Sequence, residues 1–170
     1  CEKIFDTIIV GPGENNFKLA LKGGSTKIVD SYTNVPFAET VYPDRSLLPF
    51  NSVFSKEMFK QYGQFNATMV YLSRGCFYNC SYCVYNVPNS LQSKSAKKVE
   101  EEISYLKDKF KVEAILLKDE IALNPNKKIF YPQMEAIGKS NIFWRGQTTS
   151  VGTLDQLKMA KETGCLELSV

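Results

Sequence analysis

The sequence contains no histidine among its 170 residues. Histidine is the commonest metal ligand in proteins and the commonest acid or base near neutral pH. Metal sites and mechanisms that need an imidazole ring are therefore excluded, and any chemistry must come from other side chains or from a cofactor.

Long apolar stretches are also missing from the sequence. No apolar run approaches the roughly 20 residues that a membrane-spanning helix needs. The start of the chain, "CEKIFDTIIV", lacks the basic flank and the long apolar stretch of a signal peptide. We therefore expect no membrane span and a cytoplasmic location.

The charged residues indicate no polymeric partner. Hydrophobic residues make up 44% of the chain and charged residues 23%, which is typical of a globular protein with one sizeable core. The formal net charge of +3 comes from lysines and arginines that are scattered along the chain. A nucleic-acid-binding protein would cluster them, so this distribution argues against a nucleic-acid partner.

Strand and helix patterns alternate along the chain. The opening "FDTIIVGPGENNFKLALKGG" predicts a strand, a glycine turn and a helix. Thr153 with Gln156 predicts a capping box at the start of the last helix, and Gly164 predicts its end. Strict alternation predicts an α/β fold with parallel strands. The later predicted elements are strands at 68–73, 112–117, 142–145 and 166–170, and helices at 96–110, 133–139 and 154–163.

The middle of the chain differs from both sides. Around Pro36, Pro43 and Pro49 the sequence is irregular, as expected of a connection between domains. We predict a first domain over residues 1–34, a linker over 35–66 and a second domain over 67–170. The chain starts with Cys1 rather than methionine and ends in a strand-like "CLELSV", so we expect a piece of a longer protein.

Three of the five cysteines lie together in "YLSRGCFYNCSYCVYN", as Cys76, Cys80 and Cys83. An odd, crowded set does not suit a disulfide framework and favours a metal or redox centre. Structural zinc needs four closed ligands, and only the distant Cys1 and Cys165 remain. A 4Fe-4S cluster held by three thiolates would leave one iron open. The spacing therefore favours an open iron-sulfur cluster over zinc or over inert thiols, and Cys165 is expected in the core.

This loop resembles the signature of the radical S-adenosylmethionine (radical SAM) superfamily, CxxxCxxC with an aromatic residue before the last cysteine. The resemblance implies that Cys76, Cys80 and Cys83 ligate a 4Fe-4S cluster whose open iron binds S-adenosylmethionine, with Tyr82 against the adenine. It also implies an electron donor such as flavodoxin or ferredoxin. Reductive cleavage would then give a 5'-deoxyadenosyl radical, so that the cofactor supplies the reactive species.

Polar residues after the next two predicted strands extend the resemblance. In "LLKDEIALN", Asp119 and Glu120 stand where many members carry a glycine-glycine-glutamate run that meets the methionine amino group. A solvated acidic turn is the alternative. In "FWRGQTTS", Arg145, Gln147 and Thr148 are expected near the mouth of the barrel, with Gln147 as a cofactor contact.

The amino-terminal third resembles the end of a Rossmann-like cobalamin-binding domain. "VGPGE", with Gly13 and Glu14, stands in place of a GEGE-like turn, although the glycines alone also suit a plain tight turn. The resemblance implies a partial (β/α) barrel, cobalamin in the full-length protein, and methyl transfer to an unactivated carbon of a small-molecule substrate. The alternatives are a methylthiotransferase acting on RNA or protein, and a non-catalytic zinc or iron-sulfur binding module.

Overall fold

The computed structural model describes residues 4–11, 13–14, 16–22, 28–30, 37, 42–83, 91–150 and 152–170. The chain divides into two compact units, Cys1–Thr40 and Val41–Val170. None of the helices in the described ranges is long and apolar enough to cross a membrane.

The first unit contains the predicted strand, turn and helix. Strand β1 (Ile8–Val10) precedes helix α1 (Asn16–Leu21), and a further strand, β2 (Ile28–Asp30), pairs with β1 in parallel. Gly11 follows β1 with φ 92°, a backbone conformation that favours glycine. The chain therefore turns sharply at the point where the strand ends.

The second unit is built on a four-stranded parallel sheet. Its strands lie in chain order, and each pairs in parallel with the next. The predicted α/β class and parallel strands are confirmed. Closure of this sheet into a barrel stays a prediction. The strands are β3 (Ala67–Val70), β6 (Ala114–Leu117), β7 (Phe143–Gln147) and β8 (Cys165–Ser169).

Three helices connect these strands, and local capping explains most of their bounds. Helix α3 (Ala96–Phe110) begins where the Ser95 hydroxyl accepts the Lys98 N–H, and it has the predicted bounds. Helix α5 (Leu154–Glu162) begins with the predicted capping box, which is confirmed.

Helix α4 (Lys127–Lys139) begins earlier than the predicted residue 133. The Asn126 side chain accepts the Lys128 N–H at 3.1 Å and caps the helix, and Pro132 lies inside it. A proline at this position removes the hydrogen bond to the carbonyl four residues earlier, and its ring crowds that carbonyl. The helix nevertheless continues through Pro132, since Phe130, Met134 and Ile137 on either side are buried in the core, and the sequence pattern misplaced the start.

The sheet of the second unit has a separate apolar cluster on each face. The larger cluster lies against helices α3, α4 and α5 and includes Trp144, whose indole N–H donates to the Thr163 carbonyl at 3.1 Å. The smaller cluster contains Phe59, Ala67 and Ala114. Because side chains alternate along a strand, these clusters lie on opposite faces.

Residues 42–66, within the predicted linker, pack on the second unit. They include helix α2 (Phe50–Val53) and two 3-10 turns, Arg45–Leu47 and Glu57–Phe59. Phe54 belongs to the larger cluster and Phe59 to the smaller one. This part of the chain therefore contributes to the core of the second unit on both faces of its sheet.

Candidate functional site

The cysteine-containing segment leaves the sheet through a short antiparallel pair. Strand β4 (Ser73–Arg74) pairs with β5 (Gln92–Ser93), and the Lys94 N–H donates to the Leu72 carbonyl at 2.8 Å. We call residues 72–74 and 92–94 the neck, and residues 75–83 the cysteine loop. The predicted strand over 68–73 was therefore too long, because β3 ends at Val70 and the chain then pairs with β5.

The three clustered cysteines lie in an accessible stretch of this loop. Cys76 is half-buried, while Cys80 and Cys83 are exposed. The Tyr78 N–H points to the Cys76 sulfur at 3.4 Å, and the Cys83 N–H donates to the Cys80 carbonyl at 3.0 Å. Cys80 and Cys83 therefore share one turn of the loop.

Tyr82 stands outward from the same turn, with 87% of the residue exposed. A hydrogen bond with the Cys80 side chain raises the pKa of Tyr82 above its usual 10.0. Its ring is therefore available to a ligand, and it lies beside one of the predicted cluster ligands.

The donor set of the loop fits an iron-sulfur cluster, but its sulfurs are not gathered. Three thiols are the soft ligands that such clusters use. Over the ranges that the structure describes, no three His, Cys, Asp or Glu side chains are arranged to hold a metal ion. The assignment of Cys76, Cys80 and Cys83 as ligands therefore stays a prediction, based on donor chemistry and the position of the loop.

Asp119 lies at the carboxyl end of the sheet but faces the neck. The residue is 1% exposed. One carboxylate oxygen accepts the Leu72 N–H at 3.0 Å, and the other accepts both the N–H and, at 2.5 Å, the hydroxyl of Ser73. Burial raises the pKa of Asp119 to about 6, against these hydrogen bonds, which lower it. The solvated acidic turn is thus wrong for Asp119.

The neighbouring Glu120 has different surroundings. It is half-buried, and its Oε2 atom is buried without a hydrogen-bond partner in the described part of the chain. The same holds for Arg145 Nε and for the hydroxyls of Thr148 and Thr149. An unsatisfied buried polar group costs about 1 to 3 kcal/mol, so such atoms are rare unless a ligand or water completes them. They lie in or just after β6 and β7, where α/β folds bind ligands.

A cavity of about 220 Å³ is lined by Gln147 and by Arg145, one of these residues. Arg145 and Glu167, also in its wall, form an ion pair at 3.4 Å. The hydrogen bond from the Tyr62 hydroxyl to Glu167 is the main cause that lowers the pKa of Glu167. The wall of the cavity therefore contains an ion pair, and Gln147, a predicted site residue, belongs to the same wall.

A buried ionic group next to the neck was not predicted from the sequence. Glu102 on α3 accepts from the Arg45 guanidinium at 3.3 Å and from the Lys94 ammonium at 2.5 Å. Arg45 also donates to the Met69 carbonyl at 2.8 Å. The sequence did carry a signal, since Glu102 interrupts the apolar face of α3, where a charge must be paired.

Gly13 and Glu14, the predicted cobalamin contacts, lie between β1 and α1. The Gly13 carbonyl accepts the Phe17 N–H at 2.8 Å. A Cβ at Gly13 would meet only the Ile9 Cγ2 atom, at 4.0 Å, among its described neighbours. Packing against the described residues therefore does not account for this glycine. Glu14 is exposed.

The sequence matches no family model and no curated protein. Among solved structures, the chain is similar to TsrM from Kitasatospora setae, a radical S-adenosylmethionine methyltransferase whose structure has cobalamin and a 4Fe-4S cluster bound. The TM-score is 0.53 at 14% identity, over 65% of this chain and 23% of TsrM. The similarity is one of fold, and this chain spans less than a quarter of the length of TsrM.

Proposed function

We propose that this chain is part of a radical SAM enzyme that uses a 4Fe-4S cluster to cleave S-adenosylmethionine reductively. The cysteine loop carries the proposal, because CxxxCxxC leaves the carboxyl end of the first strand of a parallel sheet. The similarity in fold to TsrM supports the same class. The strands also follow one another in chain order, as they do in a (β/α) barrel.

The thiolates of Cys76, Cys80 and Cys83 would hold the cluster in this proposal. When bound, the cluster supplies an electron that divides the cofactor into methionine and a 5'-deoxyadenosyl radical. Exposed thiols are accessible to iron, and the exposed ring of Tyr82 can pack on the adenine. A donor such as flavodoxin or ferredoxin would have to provide the electron.

Glu120 and Gln147 would orient the methionine part of the cofactor. The buried, unpartnered Oε2 atom of Glu120 can accept from the ammonium group, and such a charge-assisted hydrogen bond is stronger than a neutral one. Gln147 lines the cavity after β7 and can donate to a carboxylate. Both residues would restrict the cofactor to one orientation without themselves reacting.

We further propose that the reaction is cobalamin-dependent methyl transfer to an unactivated carbon of a small molecule. Among the described residues none packs closely against Gly13, and Glu14 after it is exposed, which suits a turn that contacts cobalamin in the first unit. TsrM, which has a similar fold, has cobalamin bound. These two observations favour methyl transfer over other radical reactions.

Anaerobic reconstitution with iron and sulfide tests the cluster directly. We expect the wild-type chain to bind about four irons and four sulfides. Cys80→Ala should lose most of both, because the two remaining thiolates are too few to hold the cluster. The matched control is Cys165→Ala: this thiol packs against the larger apolar cluster, and burial raises its pKa to about 11.

Elemental analysis and electron paramagnetic resonance of the reduced protein measure the outcome. Full cluster content in Cys80→Ala, or loss in Cys165→Ala, would contradict the ligand assignment. Zinc bound without sulfide would instead favour the non-catalytic binding module. With reduced, cluster-loaded protein, formation of 5'-deoxyadenosine from S-adenosylmethionine then tests the cleavage itself.

A further inference from the structure

The side chain of Asp119 forms its hydrogen bonds with the neck, and it is not exposed to solvent. Its two oxygens accept three hydrogen bonds, all from Leu72 and Ser73. The residue is almost completely buried. A carboxylate with both oxygens engaged in this way is poorly placed to accept from a ligand as well.

The residues that Asp119 holds lead directly into the cysteine loop. Ser73 begins β4, and Cys76 follows three positions later. Between them, Gly75 has φ 84°, a conformation that sets the direction of the chain as it leaves the neck. A displacement of Ser73 would therefore be carried to Cys76 through a short, bent piece of backbone.

The other side of the neck is fixed independently. The Gln133 amide donates to the Lys94 carbonyl at 2.8 Å and to the Leu72 carbonyl at 3.3 Å. Asn124 donates to the Ser93 hydroxyl at 3.0 Å. Asp119 therefore holds the first side of the neck, since it supplies the acceptors for the N–H groups of Leu72 and Ser73.

We propose that Asp119 is a positioning residue for the cluster: by holding Leu72 and Ser73 it sets where the Cys76 sulfur lies, and it does not touch the cofactor. This inference rests on the proposed function. It assigns Asp119 and Glu120, adjacent in sequence, to different tasks. Glu120 meets S-adenosylmethionine, while Asp119 shapes the loop that holds the iron.

Asp119→Asn tests this role with little change in size. An amide offers one accepting atom, so the NH₂ group of asparagine must face either the Leu72 N–H or the Ser73 donors. Ser73→Ala removes only the hydroxyl and keeps both backbone contacts. Asp108→Asn on the exposed surface of α3 is the control, since it removes the same charge far from the neck in sequence.

The measurements use the full chain after anaerobic reconstitution. We expect a chelator to remove iron from Asp119→Asn roughly tenfold faster than from wild type. Losing a residue that supports a metal ligand usually weakens metal binding by about 10- to 100-fold, and tenfold is the lower end of that range. Ser73→Ala should show a smaller increase, and Asp108→Asn none. The g-values of the reduced cluster should shift in Asp119→Asn, which a change in stability alone would not cause.

The affinity for S-adenosylmethionine separates the two possible tasks of Asp119. A loss of affinity in Asp119→Asn with wild-type iron loss and g-values would overturn the positioning role and favour direct contact. If Asp119→Asn does not fold by circular dichroism, Ser73→Ala decides, and wild-type behaviour there overturns the inference. A wild-type chain that binds no cluster overturns the proposed function as well, whereas a loaded wild type with an identical Asp119→Asn overturns only this inference.

Discussion

At the scale of single residues, the buried carboxylate of Asp119 lowers the stability of the fold at neutral pH while its hydrogen bonds fix the neck. Burial disfavours its ionised form, while the donors from Leu72 and Ser73 favour it. The burial effect is the larger, since the pKa rises from 3.8 to about 6. At neutral pH the carboxylate is ionised and holds the neck, and its burial lowers the free energy of unfolding.

The raised pKa of Asp119 predicts how stability changes with pH. Below pH 3.8 the group is protonated in both folded and unfolded chains, so its contribution is fully present there. As the pH rises from 3.8 to about 6, the unfolded chain ionises while the folded chain stays protonated, so that stability is lost over this range, by about 3 kcal/mol once the pH has passed 6. The free energy of unfolding of the cluster-free wild type, minus that of Asp119→Asn, should fall by this amount.

Urea denaturation of both proteins between about pH 4 and pH 7 measures this difference. Taking the difference removes contributions from other titrating groups that the two proteins share. A difference that stays constant over this range would show that burial does not raise the pKa of Asp119.

Residue-level predictions from the sequence succeeded where the signal was local. The capping box of Thr153 and Gln156 depends on two residues three positions apart, and it is present. The contact of Asp119 with Ser73 joins residues 46 positions apart, and that of Arg45 with Glu102 joins residues 57 apart. Such contacts are decided by the packing of the sheet, so no local pattern could predict them.

At the scale of secondary-structure elements, helix α3 does more than cover the sheet. Its apolar residues Val99, Ile103 and Leu106 are buried, as the periodicity indicates. Glu102, on the same side, joins α3 to the segment that holds Arg45 and to Lys94 at the neck. One helix therefore links the main apolar cluster, the incoming segment and the base of the cysteine loop.

We expect Glu102→Gln to destabilise the second unit by about 3 to 5 kcal/mol, the usual effect of breaking a buried ion pair. The side chain of Arg45 is only 8% exposed, so its guanidinium would remain buried without this carboxylate. Urea denaturation measures the change.

Glu101→Gln on the same helix is the matched control. Glu101 pairs with Lys97 and Lys98 at the surface, where an ion pair contributes at most about 1 kcal/mol. Equal, small effects of the two substitutions would mean that water reaches the Glu102 group in solution.

At the scale of the whole molecule, the proposed cluster chemistry belongs to one of the two units. The three cysteines, the neck and Asp119 all lie within Val41–Val170, which has its own apolar clusters. The sequence predicted the α/β class and the order of these elements. It did not predict that residues 42–66 would pack into this unit, because isolated aromatic residues such as Phe54 and Phe59 carry no periodic signal.

A chain that lacks residues 1–40 should therefore load the cluster as the full chain does. We expect the same iron and sulfide content and the same g-values for the reduced cluster, because every group that we assign to the cluster remains. Loss of the cluster from a shortened chain that keeps its circular dichroism spectrum would show that the first unit takes part in holding it.

The neck also separates the reactive part of the chain from its scaffold. The segment between Arg74 and Gln92 begins and ends in the neck, where Ser73 pairs with Ser93 and Arg74 with Gln92, so the antiparallel pair holds its two ends together. Doubling the length of a flexible loop costs about 0.6 kcal/mol in closure entropy. Because the neck already holds these two ends together, we expect a change in the length of the segment to have little effect on the folding of the sheet, so that the proposed metal chemistry could change while the sheet stays the same.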